Sequence, residues 1–261
     1  MSIHPTAIVS DQANIAPDAE IGPFCVIEGR VEIGAATVVE SHARIGSRHA
    51  RVEIGEGNLI QNGAVLGGPP QDLSYDAADT LLVIGDRNRI GEYVSINVGT
   101  EKGGGVTRLG HDNFIMAFAH IGHDCQLANH VVITNATQLA GHIVVEEHAL
   151  LSGLAGVTQF CRLGSYSFLV AGAFANKDIP PYTIAAGHWA APRAINRVGL
   201  KRAGVSASER RNLDRALKLL LDRSLTIEEV VQRIAHDCEP SPFITHFAAF
   251  IEQSARGVAR G

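Results

Sequence analysis

Aliphatic residues recur at every sixth position from the start of the chain: Ile3, Val9, Ile15, Ile21, Ile27, Ile33, Val39 and Ile45. The phase resumes at Ile54, Ile60 and Leu66, and again at Ile84, Ile90 and Ile96. From Leu109 it runs unbroken through Ile115, Ile121, Leu127, Ile133, Leu139, Val145, Leu151, Val157, Leu163 and Leu169. A small residue holds the fifth place of most hexads, as at Ala19, Cys25, Thr37, Ala43, Ala119, Cys125, Thr137, Ala155 and Cys161. Helices repeat at 3.6 residues and strands at 2, so neither alone yields a period of six. A triangular coil does. Each hexad is a short strand plus a corner, and three hexads close a turn of about 18 residues. The aliphatic side chain points inward and the small residue fits the corner. Glycine often follows the aliphatic (Gly22, Gly34, Gly46, Gly122), where close approach or unusual backbone angles are expected. The pattern predicts a mainly β fold, a parallel β-helix of hexapeptide repeats.

Two stretches break the phase, 67–83 and 98–108, and are expected to leave the coil as loops. Loops on a rigid scaffold commonly carry function. The Lys102-Gly103-Gly104-Gly105 run does not make a phosphate loop, because the lysine precedes the glycines. Near Ile179-Pro180-Pro181-Tyr182 the period ends and helical signals begin. Ser206 with Glu209, and Thr226 with Glu229, read as capping boxes, and Ser241-Pro242 starts a third helix through about Gln253. The expected organisation is a β-helix over 1–187 and a small α-helical C-terminal domain over 188–261.

Composition changes this picture only in places. Among 261 residues there are 27 glycines, and aromatics make up 5%, which suits a coil too narrow for rings. No apolar run reaches the ~18 residues of a membrane span. No secretory signal is visible, so a reduced, cytoplasmic protein is expected. Cys25, Cys125 and Cys161 occupy fifth places and read as core filling rather than reactive thiols. The net charge of −5 argues against a nucleic-acid binder. It divides unevenly: residues 1–187 hold 10 basic and 19 acidic side chains, residues 188–261 hold 12 and 8.

Six of the twelve histidines lie between 111 and 148. Residues 18 apart stack on neighbouring turns about 4.8 Å apart, so His123, Gly141 and Gln159 form one column. His142, 18 after Asp124, stands beside it. His120 and His123 take outward places. A histidine steadied by Asp124 suits a general base, and the Gly141 N–H suits an oxyanion. The same cluster also reads as a solvated histidine-rich face or as a metal site, although no cysteine or carboxylate set completes a ligand spacing.

The motifs AHIGHDC (119–125), LAGH (139–142), QFC (159–161), PPQDL (69–73), DIPPY (178–182), GLKRAG (199–204) and RGVAR (256–260) stand in one order along nearly the whole chain. By them the sequence resembles the acyl-carrier-protein-dependent UDP-N-acetylglucosamine acyltransferases of lipid A biosynthesis. The resemblance implies a left-handed β-helix, a homotrimer with active sites between subunits, and acyl transfer to the sugar 3-position without a metal. It implies no cofactor beyond the phosphopantetheine of acyl carrier protein, the partner whose acidity the basic tail would meet. It further implies His123 as general base, Asp124 as its orienting partner and Gly141 as oxyanion donor. Gln71 and Asp72 would contact the sugar. His120, His142 and Gln159 would contact donor and nucleotide, and Asn196 and Arg202 the phosphate-bearing parts and pantetheine. There are departures. Ser74 stands where many members carry lysine, Asn97 and Thr158 where histidine is usual. In the acyl-chain pocket Ala171 replaces a glycine and Phe168 a methionine, which implies a shortened pocket. The missing lysine leaves open an acceptor with a 3-amino group, or a non-catalytic carrier-binding paralogue.

Overall fold

The computed structural model describes residues 2–260; the outermost residues of the two expected domains, Met1 and Gly261, lie outside this range. The hexads wind into a left-handed parallel β-helix with three faces. Short strands pair with strands one turn on, as Ile115 with Ile133, Ile121 with Leu139 and Leu127 with Val145. Ile115 belongs to the first face, Ile121 to the second and Leu127 to the third. The stacked aliphatics fill the interior, and Ile60, Leu66, Ile90, Leu139 and Leu163 have no exposed surface. The fifth-place residues close the corners from inside, with Cys25, Thr37, Cys125, Thr137 and Cys161 likewise fully covered. Burial pushes the Cys125 thiol up to about 12, as expected of an inert filler.

The corners divide the two glycine roles differently from expectation. Glycine after the aliphatic mostly serves close approach: a Cβ on Gly34 would stand 2.5 Å from the Gly55 carbonyl oxygen, and one on Gly122 2.8 Å from the Ala140 backbone. Gly46 (φ 89°) also takes the unusual angle expected there, but elsewhere the left-handed backbone falls mainly on the fourth place, which is mostly not glycine. Phe118 (φ 61°), Asp124 (φ 60°), His142 (φ 61°) and Phe160 (φ 65°) all adopt it. Each costs roughly 1–2 kcal/mol, and the ladder bonds to the next turn hold it in place. These side chains splay outward, which explains where the aromatic rings go. At one corner the fifth place holds asparagine: Asn88 donates to Asn58 Oδ1 (3.0 Å) and Asn113 to Asn88 Oδ1 (2.9 Å), a buried amide ladder.

Past Ala175 the coil ends in an antiparallel pair, Thr183–Ala186 with Ala191–Ile195, so the sheet reaches beyond residue 187. Four helices follow: α1 (Arg197–Arg202), α2 (Ala207–Leu221), α3 (Ile227–Asp237) and α4 (Pro242–Glu252). Thr226 and Glu229 form a full capping box. The expected box at Ser206 is half made, because the Glu209 side chain instead accepts from Ser241 Oγ at 2.8 Å and ties α2 to α4. Leu213, Leu217, Leu220, Val230, Ile234, Phe247 and Ile251 form a second core. The tail returns along the coil, where buried Asp178 accepts from Arg162 N and Ser254 Oγ.

A relay fastens this bundle to the coil. Tyr182 Oη lies 2.6 Å from His246 Nδ1, and His246 Nε2 lies 3.0 Å from Glu146 Oε2. Burial works to raise the Glu146 carboxyl, but bonds from His246 and Ser165 override it and hold it below the ordinary glutamate range. Its stabilising share is therefore present above about pH 4.3 and lost as the pH falls through the folded value. Glu146→Gln is expected to lower the thermal midpoint by a few degrees at pH 7. The gap to wild type should narrow in melts recorded at successively lower pH below about 4.3.

Candidate active site

Every excursion from the coil leaves at the same corner, between the second and third faces. The first runs from Gly68 to Leu81 and the second from Asn97 to Val106. Both are shorter than expected, because strand pairing continues past the broken hexads (Leu82 pairs with Val52, Thr107 with Leu82). A third, shorter one lies inside the continuous strand Arg44–Ile54. The column of His123, Gly141 and Gln159, with Asp124, His142 and Phe160 beside it, runs along this corner.

His123 and Asp124 are 5% exposed each, although they project outward. The second loop covers them, which hexad counting alone misses. His123 Nδ1 lies 2.8 Å from Asp124 Oδ2. Asp124 also accepts from Thr100 N (2.9 Å) and Thr100 Oγ1 (2.7 Å), while its own N–H donates to Thr107 Oγ1 (2.8 Å). Gly103 N–H donates to Thr100 Oγ1, and a Cβ on Gly103 would fall within 2.4 Å of the Asp124 carboxylate. The carboxylate is thus an acceptor on both oxygens. It fixes the proton on His123 Nδ1 and leaves Nε2 with a lone pair, the arrangement of a general base. No sequence pattern singles out Thr100, since nothing in the loop is periodic; Thr107 lies in the strand that resumes after it, paired with Leu82.

Gly141 packs on that ring. A Cβ there would stand 2.5 Å from His123 Cε1 and 2.7 Å from Nε2. Its N–H donates to no acceptor among the described residues. His142 crosses His123 edge-on with ring centres 4.9 Å apart and stacks on Phe160 at 4.5 Å. His120 Nδ1 lies 2.8 Å from Ser95 Oγ. Burial, and then the neighbouring His123, push the His120 pKa down. Burial also outweighs the pull of Asp124 on His142, so it too lies below the usual histidine range. Neutral flanking imidazoles spare His123 like-charge repulsion when it takes up a proton.

Asp72 stands in the first loop, with Oδ1 accepting from Ser74 N (2.8 Å) and Ser74 Oγ (2.9 Å); these bonds hold its carboxyl below the ordinary range. Gln71 and Gln159 are exposed. Asn97 is buried and donates to the Pro69 carbonyl at 3.0 Å, which anchors the start of the first loop. Thr158 lies against Cys161 Sγ at 3.4 Å.

Four expected site residues do not join this group within one chain. Phe168 is half-buried on the first face and Ala171 is exposed at its corner. Asn196 caps α1, accepting from Gly199 N and donating to the Tyr166 carbonyl at a different corner. Arg202 lines a cavity of about 760 Å³ with Arg197, Lys201, Arg210 and Arg211, a cationic groove between α1 and α2. As to a metal, His123, Asp124 and His142 do bring ligand atoms within 4.8 Å of one another, a carboxylate set that the spacing does not suggest. Thr100 and His123 already engage both Asp124 oxygens, so the carboxylate is satisfied without an ion.

Residues 178–259 match the family profile described as Udp N-acetylglucosamine O-acyltransferase, domain 2. Among curated relatives, the acyl-(acyl-carrier-protein)–UDP-N-acetylglucosamine O-acyltransferase of Xanthomonas euvesicatoria pv. vesicatoria is 42% identical over 99% of this chain and 97% of its own. That of Janthinobacterium sp. is 41% identical over 99% of both. The solved UDP-N-acetylglucosamine acyltransferase of Francisella novicida superposes with a TM-score of 0.92 at 38% identity, covering 99% of this chain and 94% of that one. A structure from Acinetobacter baumannii gives 0.94 at 36% identity, covering 99% of both.

Proposed function

The chain belongs to the acyl-(acyl-carrier-protein)–UDP-N-acetylglucosamine O-acyltransferase family, and from that premise we propose that it moves an acyl chain from acyl carrier protein to the 3-hydroxyl of UDP-N-acetylglucosamine in lipid A biosynthesis. The observation that carries the reading is the covered His123–Asp124 pair with Gly141 packed on its ring. His123 Nε2 removes the proton of the sugar 3-hydroxyl as its oxygen bonds to the thioester carbonyl carbon. Asp124 stabilises the imidazolium through Nδ1. The Gly141 N–H donates to the carbonyl oxygen as it becomes an oxyanion. Collapse breaks the carbon–sulfur bond, and the pantetheine sulfur leaves with the proton from His123. Atoms and charges balance without a further cofactor or a covalent enzyme intermediate.

We place the working unit in a homotrimer. The corner between the first and second faces exposes Phe24, Tyr93, Phe118 and Leu154, each more than half exposed, an apolar stripe that a second copy of the chain would cover. Phe168, Ala171, Asn196 and Arg202 would then reach His123 from a neighbouring subunit. The cationic groove between α1 and α2 suits an acidic carrier protein. No helix among the described residues is long and apolar enough to cross a membrane. We place the enzyme in the cytoplasm, with its carrier.

The test is a turnover matrix of acyl-carrier-protein donors of several lengths against UDP-N-acetylglucosamine and its 3-amino analogue. Product with the ordinary sugar nucleotide is expected. Binding of the carrier without product, or turnover of the amine alone, overturns the reading. Along the length axis the ring of Phe168 and the methyl of Ala171 are expected to favour a shorter chain. The preference is graded, since one methylene is worth about 1–3 kcal/mol. Best turnover with 14 carbons or more, a length taken as a rough divide on that scale, rejects the shortened pocket.

A further inference from the structure

We propose that Lys102 is the positioning cation of the acceptor site: it clasps the first loop to the second and offsets the carboxylates that an anionic sugar nucleotide must approach. The inference rests on the acyl-acceptor reading above. Lys102 lies in the short 3-10 turn Glu101–Gly103 of the second loop. Its Nζ donates to Ser74 Oγ at 2.9 Å, across to the first loop. Ser74 in turn donates through both N and Oγ to Asp72. At the other end of the same turn Thr100 holds Asp124, and Asp124 holds His123. One bonded path therefore joins Asp72 to the reacting imidazole through Lys102 and its turn.

Charge gives the clasp its purpose. The small cavity between the loops is lined by Asp72, Asp76, Glu101 and Lys102. Three carboxylates face one ammonium, and removing it leaves a mouth that repels a diphosphate. The geometry also bears on Ser74, where the resemblance led to the expectation of lysine. The ammonium is not lost from this place; it arrives from the other loop, onto the Ser74 hydroxyl itself. With an ammonium in this place, Ser74 gives no reason to expect an amine acceptor.

Lys102 and Ser74 are exposed, and an exposed polar contact adds little to stability. Lys102→Gln should therefore melt with the wild type yet raise KM for UDP-N-acetylglucosamine about tenfold, the scale of one charge-assisted contact. The kcat and the KM for acyl carrier protein should move by less than about twofold. Ser74→Lys added to Lys102→Gln places a cation in the same space and should recover most of the loss. Equilibrium binding of UDP-N-acetylglucosamine to the intact protein is measured in parallel. Unchanged KM and binding in Lys102→Gln, or no recovery in the double variant, overturns the role of Lys102. Wild-type protein that neither binds nor acylates the nucleotide overturns instead the acceptor reading on which it rests.

Discussion

His123→Ala is expected to lower turnover by about 10²–10⁴-fold, the usual worth of a positioned general base, while the coil stays folded. His123 projects outward from its hexad, so its loss removes nothing from the stacked aliphatic interior. Asp124 keeps both Thr100 bonds, and the second loop keeps its anchor. The variant should thus retain its melting temperature and its affinity for the sugar nucleotide, and lose kcat. Retention of a tenth or more of the wild-type rate, against that general scale, would reject His123 as the base.

Gly141→Ala should cost nearly as much by a different route. The added methyl would lie 2.5 Å from Cε1 and 2.7 Å from Nε2 of His123. Real contacts do not approach so closely, so either the ring or the Gly141 backbone must retreat. Retreat of the ring misdirects Nε2, and retreat of the backbone carries away the oxyanion donor. A displacement near 1 Å at a reacting group can cost about 10²-fold, so a loss of that order in kcat is expected. Gly153→Ala is the control. It sits at the corresponding place on another edge, where a methyl meets nothing nearer than 3.5 Å. Activity in Gly141→Ala equal to that of the wild type would show that the contact at Gly141 is not catalytic.

Much of this architecture is legible in the order of residues alone. The interior is periodic, and periodicity implies the three faces, the buried cysteines and the stacking of His123 against Gly141. The homologous motifs supply the left hand of the coil and the chemistry. What escapes has a common physical cause, namely contacts that the period itself does not specify. Thr100 sits in a loop whose path the hexads do not determine, so neither its bond to Asp124 nor the burial of His123 follows from the repeat. The Lys102–Ser74 bond joins two such loops. Asn58, Asn88 and Asn113 occupy fifth places but break the rule of small residues, because each amide satisfies the next turn. The Glu146–His246–Tyr182 relay links residues on coil and bundle that no local pattern connects. The fourth-place backbone departs from expectation for a related reason. A left-handed angle on Phe118 or Asp124 is disfavoured locally and is imposed by the ladder.

The strand register also turns the coil into a gauge. Between Leu109 and Ala175 each ladder partner lies 18 residues away, as Ile121 and Leu139 do. Excising one whole turn between the reacting corner and the bundle would bring the cationic groove nearer to His123 by about 4.8 Å and leave every remaining side chain on its own face. Excising a single hexad would swing the entire bundle a third of the way around the axis and present the groove to the wrong side. The span between chemistry and carrier dock is therefore quantised. It can be lengthened or shortened only in steps of one turn, and a change of any other size separates the two.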